Sequence, residues 1–390
     1  MRLEQFTAII LIFSILLLLY WIIKRRAELK AFPLKFIDNA IPLRDRVSVI
    51  IPVRDEEGSL EECLDSIISQ RGVEIEVIVV DDGSMDKSFE TAKKYERLGK
   101  LKVVKAGDPP RGWLGKSWAC YLGYLRSSGD FLLFMDADTK LLSDRVILYA
   151  VKALKERGVD YMTLFPRFSD GSPLAAITNS FCSNLFYVLD PPSSLNDPGS
   201  RKSFLIGCFA LIRREAYESV EGHKLVRSSF AEDKDLGEKL RVMSYRFLML
   251  DGSRAVSTKL AKSVRGMWRN LVKLILIRVD GKVAISAMAS AFFFIQFILP
   301  LIIAPLSIII GRLDLLILSS LNIVLAAILE GAELRRNDHS AIYSIFYPIA
   351  ALIMVACLLY TSVKAKLGFR IEWKRRAYMV KASRISVCSP

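Results

Sequence analysis

VSVIIPV (47–53), EEGSLEECLDSIISQ (56–70) and VEIEVIVVDDGS (73–84) decide the fold. The first and third are short β-rich apolar runs of the kind found in strands covered on both faces, and the segment between them has helical spacing. MDKSFETAKKYERLGK (85–100) and LKVVKAG (101–107) repeat the alternation. The pattern predicts a mostly parallel α/β sheet from Val47 to about Asp251. In such sheets ligands bind at the carboxyl ends of the strands.

Two of these ends carry paired carboxylates. Asp81 and Asp82 close EVIVV, where a carboxylate can accept a hydrogen bond from a base or ribose; the plain alternative is a helix-capping turn. FLLFMDADTK (131–140) ends in Asp136 and Asp138. If the strand runs through them, both leave the same side about 7 Å apart, a spacing that suits a shared cation. The alternative is an ordinary strand end and turn, where Asp is common. In PPRGWLGKSWAC (109–120) the GKS suggests a phosphate-binding loop, but that motif needs Gly at position 110, which is Pro110. Lys116 can still reach a diphosphate as a point charge, with Gly112 and Gly115 permitting close backbone approach. Phe230 to Leu236 open a helix with three acids in its first turn, which suits the helix dipole and also offers Asp233 as a general base.

The bulk composition adds a membrane. Over 390 residues the chain is 52% hydrophobic, with a mean hydropathy of +0.32, too apolar for an ordinary soluble enzyme. Its net charge is +14, and Lys and Arg cluster at 24–30, 265–273 and 373–378, beside apolar segments, which argues for lipid headgroups and against nucleic acid. No CxxC pair occurs among six cysteines, and His223 and His339 are the only histidines, so any metal is expected to be a hard cation on oxygen, Mg2+ or Mn2+.

Phe6 to Ile23 can span a bilayer and are followed by Lys24, Arg25 and Arg26, which places the next domain in the cytoplasm of a multi-pass protein of the cell membrane. The chain divides into an anchor with its basic flank (1–30), the sheet domain (44–255), an amphipathic interfacial helix region (256–282), membrane helices (283–363) and a basic tail (364–390). In the amphipathic region Leu260, Val264, Met267, Trp268, Leu271, Leu274 and Ile275 stand close to helical spacing; such a helix lies in the membrane interface or packs on the sheet domain. The spans expected beyond it are Val283 to Ile310, Leu313 to Leu329 and Ala341 to Val363, with Pro300, Pro305 and Pro348 as kink positions. One span plus three puts the tail outside, whereas WKRRAY in that tail prefers inside. Either one segment is re-entrant or interfacial, or the earlier spans overrule the charge.

VSVIIPVRDEEGSLEECLDSI, VIVVDDGSMD, MDADTK, FLIGCFALIRREAYESVEGH and SFAEDKDLGEKL, in this order, resemble a membrane-bound family 2 glycosyltransferase of GT-A fold over roughly residues 45–255. GWLGKSWAC and IEWKRR resemble the branch containing carotenoid- and hopanoid-associated enzymes. The resemblance implies an α/β, Rossmann-like domain with transmembrane helices and an inverting transfer from a nucleotide-diphosphate sugar to a lipid, isoprenoid-type hydroxyl. It implies donor contacts by Pro52, Asp81, Asp82, Lys116 and Asp136, a metal on Asp136 and Asp138, and Asp233 as base. Glu232, Arg265, Trp268 and Arg269 are then acceptor-side or gating residues. VRGMWRN departs from the QxxRW of processive relatives, which weighs against a polysaccharide synthase. Transfer to a polyprenyl phosphate is a further alternative, since that acceptor needs no base, and a non-catalytic scaffold the last. Where the family often has two glycines before the histidine, this chain has Glu221-Gly222.

Overall fold

The structure is a computed structural model that describes residues 3–36, 41–169, 172–259, 264–279, 282–367, 369–373, 376–381 and 384–387. After α1 (Leu3–Ala31) come β1 (Arg46–Val53), α2 (Leu60–Ile68), β2 (Glu74–Asp81), α3 (Ser88–Arg97), β3 (Lys102–Lys105), α4 (Gly115–Leu125) and β4 (Phe131–Phe134). Next are β5 (Thr139–Leu141), α5 (Val146–Glu156), β6 (Tyr161–Phe165), β7 (Arg167–Phe168), α6 (Pro173–Leu189), α7 (Pro192–Leu195), β8 (Ala210–Arg213) and α8 (Arg214–Ser219). α9 (Glu232–Val242), β9 (Phe247–Asp251) and β10 (Val256–Thr258) complete the domain.

The main sheet has the order β3-β2-β1-β4-β8-β6-β9, with β8 antiparallel to both neighbours and the other pairings parallel. Both faces are covered, which explains the unbroken apolar runs. Val49, Ile51, Val77 and Val79 pack toward α2 and α5, while Ile50, Ile78 and Val80 pack toward α4 and α9. A small sheet, β5-β10-β7, lies beside it. Because β10 pairs with β5 and β7, the sheet-forming part runs past the expected limit of 255.

α10 (Val264–Val279), α11 (Val283–Phe293), α12 (Leu299–Ile309), α13 (Leu313–Arg336) and α14 (Tyr347–Leu367) follow, then an antiparallel sheet of β11 (Phe369–Trp373), β12 (Arg376–Lys381) and β13 (Arg384–Val387), where a basic tail was expected. Among the described residues four helices are long and apolar enough to cross a membrane: Leu3–Ala31, Val283–Ile309, Leu313–Arg336 and Ala341–Lys364. The third apolar helix runs through Arg336, seven residues past the expected Leu329. A π-helical turn, Phe294–Ile298, separates α11 from α12 just before Pro300, whose ring and missing N–H oppose a regular α-turn there. Pro348 follows the 3-10 stretch Ala341–Phe346, and Pro305 lies inside α12.

α6 has no counterpart in the sequence reading. Its Ala175, Ile177 and Phe181 join the apolar core of the bundle, against α1 and α13 on one side and α14 on the other. Burying a side chain such as Phe181 contributes about 2 kcal/mol. The bundle has two layers: α13 packs on α1 and α12, whereas α14 packs on α11 and α10. In α10 Met267, Leu271, Val272 and Ile275 are buried in this core while Val264 and Leu274 stay exposed; Leu260 lies outside the described residues.

Charged groups join bundle to sheet. Arg25 pairs with Glu333, and Arg336 pairs with both Glu333 and Asp251 while donating to the Phe165 and Pro166 carbonyls at 3.2 Å. The Phe168 amide donates to Asn337 Oδ1 (3.0 Å), and the chain after α1 bonds to the end of β9 through the Leu34 amide and Asp251 carbonyl (3.0 Å).

Candidate active site

At the carboxyl ends of β1 and β4 a cleft is lined by Pro52, Lys116, Asp136, Gly207, Glu232 and Asp233 among others. Each arrives for a local reason. Pro52 lies beyond the β4 ladder, which ends at Ile50 opposite Phe134, so its missing N–H leaves no bond unmade there. Lys116 stands in the first turn of α4, whose preceding loop is held by the Leu114 amide donating to the Arg227 carbonyl (2.7 Å). Glu232 and Asp233 open α9, where the Lys234 amide donates to Asp233 Oδ1 at 2.8 Å.

The aspartate pair is not on a strand. β4 ends at Phe134; the Asp136 amide then donates to the Gly207 carbonyl (3.0 Å), and the Thr139 amide returns to the Asp136 carbonyl (3.1 Å), closing a turn over 136–139. The two-residue strand period therefore does not set the relation of the two carboxylates. Asp136 faces the cleft. Asp138 is anchored toward β10, accepting from Thr258 Oγ1 at 3.2 Å, and is not among the cleft-lining residues.

Lys116 Nζ lies 2.8 Å from Asp136 Oδ1 and 2.7 Å from Glu232 Oε1. Gly207 makes room for this convergence: a Cβ there would stand 2.8 Å from Asp233 Oδ2, 2.8 Å from Lys116 Nζ and 2.9 Å from Asp136 Oδ2. Gly207 went unread as a site residue, since its role is space created by tertiary packing and no spacing rule signals that.

The electrostatics follow from crowding. Burial, with the neighbouring Glu232 charge, pushes the Asp233 carboxyl up to about 6, although Lys116 opposes the rise. Burial also works to raise Glu232, but the charges of Lys116 and Lys273 and the Lys116 hydrogen bond overcome it and hold its carboxyl below the usual glutamate value. Burial alone would lower Lys116; the charges of Asp136, Glu232 and Asp233 outweigh it, so the ammonium is held charged well above the lysine range. His223, buried with Nδ1 2.9 Å from the Tyr217 hydroxyl, is lowered by burial to about 4 and is neutral at pH 7.

Asp81 and Asp82 are buried at the adjoining end of β2, outside the cleft lining. The Ser84 amide approaches Asp81 Oδ1 at 3.3 Å, the capping-turn geometry, and Arg54 Nη1 donates to the Asp82 carbonyl (2.9 Å) and stands 3.3 Å from Oδ2. The β1 and β2 loops are stapled together: the Asp55 amide donates to Ser84 Oγ (3.1 Å) and the Met85 amide to Asp55 Oδ1 (2.8 Å). Asp55 takes φ 53° there, in the left-handed region.

Arg265, Trp268 and Arg269 do not line the cleft. Trp268 packs on Tyr360 of α14 with ring centroids 5.8 Å apart, and the two arginines are exposed. Four residues beyond Arg269 on α10, Lys273 places its ammonium 6.0 Å from the ring centroid of Phe230, two residues before Glu232.

Comparison with known proteins follows the same lines. Residues 48–221 match the family described as Glycosyl transferase family 2. A 4,4'-diaponeurosporenoate glycosyltransferase of Staphylococcus haemolyticus is 31% identical over 218 residues, 55% of this chain and 56% of that protein. Its counterpart in Staphylococcus aureus is 29% identical over 238 residues, 59% of each. The chain thus spans a little over half the length of the curated relatives it matches. A mannosyltransferase from Pyrobaculum calidifontis, solved in complex with GDP-Man and Mn2+, superposes with a TM-score of 0.53 at 21% identity, covering 92% of this chain and 97% of that one, and shares its fold. Sheet order, strand-end carboxylates and family match agree on a Glycosyl transferase family 2 domain over residues 48–221, of GT-A fold and set against a bundle of apolar helices.

Proposed function

We propose that the protein is an inverting glycosyltransferase that moves a sugar from a nucleotide-diphosphate donor to the hydroxyl of an isoprenoid-type lipid. The observation that carries this reading is Asp233: a carboxylate raised to about 6, with Oδ2 turned into the cleft beside Lys116 and Asp136. A base of that strength is ionised at pH 7 and can take a hydroxyl proton in the transition state. The acceptor oxygen bonds to the anomeric carbon as the bond from that carbon to the β-phosphate oxygen breaks. The electron pair leaves on the diphosphate, Asp233 holds the proton, and the anomeric configuration inverts. Lys116 offsets charge on the leaving group.

Asp136 gives the cleft a carboxylate of the kind a hard divalent cation takes, and Asp138, held toward Thr258, would have to turn to join it. Asp136 and Asp138 offer carboxylate oxygens from one turn, while burial, first, and the nearby carboxylates hold the Cys63 and Cys208 thiols protonated. Among the described residues no group of three His, Cys, Asp or Glu side chains could hold an ion alone, so diphosphate oxygens and water would have to complete its shell. Bound at Asp136 and Asp138, Mg2+ or Mn2+ would supply neutralisation of the departing diphosphate; the mannosyltransferase with GDP-Man and Mn2+ supports that choice.

The relatives' names favour a second acceptor, a carboxylate, which is ionised at pH 7 and needs no base. Labelled transfer from a panel of nucleotide sugars into extractable lipid, with Mn2+ or Mg2+ and with EDTA, separates the readings. Metal-dependent labelling of a base-stable neutral lipid supports the hydroxyl; a base-labile product supports the carboxylate. An acid-labile anionic lipid would point to polyprenyl phosphate, and no lipid labelling with any donor would overturn the proposal.

We also place the catalytic domain in the cytoplasm of a multi-pass membrane protein, with α14 lying alongside α10 and α11 as an interfacial layer. Three crossings, by α1, the α12 segment and α13, would then leave the basic tail on the domain's side, as its charge prefers. Labelling of single cysteines introduced into the tail of intact cells tests this: protection from an impermeant reagent agrees, and ready labelling contradicts it.

A further inference from the structure

α10 carries Arg265, Arg269 and Lys273 at four-residue spacing, one face of the helix, opposite the buried Met267, Leu271 and Ile275. None of the three is among the cleft-lining residues, but Lys273 reaches the segment that leads into α9. Its ammonium lies over the buried Phe230 ring, beside the start of α9, and Glu232 follows two residues later. Glu232 is itself buried and holds Lys116 at 2.7 Å, the same lysine that contacts Asp136 at 2.8 Å. A buried carboxylate thus pairs with a cation from α4, on the donor side, and feels the charge of a second cation from the helix bundle, seated over the ring two residues before it.

A lysine held by two carboxylates is less available to a diphosphate, and the grip of one carboxylate weakens when a second cation shares it. We propose that Lys273 is a positioning residue: by sharing Glu232 with Lys116 it keeps Lys116 free to turn to the donor's diphosphate, so that the seating of α10 in the bundle is felt at the donor site. This rests on the donor class of the proposed function, and it concerns a residue that makes no contact with the donor.

The test is nucleotide binding by the full chain in lipid nanodiscs, with UDP and GDP as probes in the presence of Mn2+. Lys273→Met is expected to weaken binding about tenfold, Lys273→Arg to bind close to wild type. Adding Glu232→Gln to Lys273→Met removes the carboxylate that traps Lys116, and the double variant is expected to bind as Glu232→Gln alone does. A lysine needed only for packing would not be rescued by a change at Glu232. Equal binding by wild type and Lys273→Met, or additive losses in the double variant, would overturn the inference. Wild type that binds neither nucleotide would instead overturn the donor assignment, a separate result.

Discussion

Among the described residues two buried charged clusters differ in their balance. At the border between sheet and bundle, Arg25 and Arg336 meet Glu333 and Asp251, cation for anion, and Arg336 also satisfies two strand-end carbonyls. In the cleft Lys116 alone sits among Asp136, Glu232 and Asp233, with Lys273 helping from one side. The balanced cluster is a joint. The unbalanced one carries surplus negative charge on oxygen, which lifts Asp233 toward the strength of a working base and leaves Asp136 suited to a cation.

The largest effect should come from removing the base. Asp233→Asn is expected to lower transfer by about 10^2 to 10^4, with UDP or GDP affinity kept within a few fold. The same change should raise thermal stability. The folded-state pKa of Asp233 lies above its unfolded value, so the ionised group is costly in the fold at pH 7 and its neutral replacement relieves that cost. A melting temperature that falls would contradict the crowding described.

The joint should behave in the opposite way. Arg336→Met leaves Asp251 and Glu333 short of a buried cation and should destabilise the chain by about 3–5 kcal/mol, seen as loss of folded protein in detergent. What does fold should keep its donor KM. A selective loss of donor binding with normal stability would break the contrast between the clusters.

The contrast also sets a pH dependence. Asp233 must be ionised to accept a proton, so kcat/KM should fall as pH drops through about 6 and stay level from there to 8. A carboxylate acceptor would remove this limb, which makes the profile a check on the acceptor class.

The sheet domain was legible where chemistry and period coincide. Ile50 and Val49, or Val80 and Val79, face opposite cores, and only a doubly covered strand explains such runs. The acids of α9 announced themselves as a first helical turn. α6 did not, because Thr178, Asn179, Ser180, Ser183 and Asn184 interrupt its apolar length; in the fold these are buried among helices, Asn184 donating to Glu330 at 3.1 Å and Ser180 accepting from Asn337 at 3.2 Å. The turn at Asp136–Thr139 was hidden for another reason: the amide that ends the strand bonds to Gly207, some seventy residues away in the chain and absent from any local pattern. Gly207 and Lys273 share that cause.

The smallest effect concerns Glu221. It holds φ 54° beside Gly222, itself at φ 51° and closed over by Tyr217, at the place where the family often has two glycines. Glu221→Gly should therefore change stability by no more than about 1 kcal/mol, and in the stabilising direction, without altering transfer. A loss of activity would give Glu221 a role that neither cluster accounts for.

The central claim is that the unbalanced cluster is the chemical one. Its most direct test is transfer of labelled sugar to extractable membrane lipid, measured for wild type with and without EDTA and for Asp233→Asn, alongside nucleotide diphosphate binding by the same preparations. Wild type should show metal-dependent transfer, and Asp233→Asn, still binding nucleotide, transfer lower by about 10^2 or more. Transfer by Asp233→Asn at the wild-type rate would contradict it.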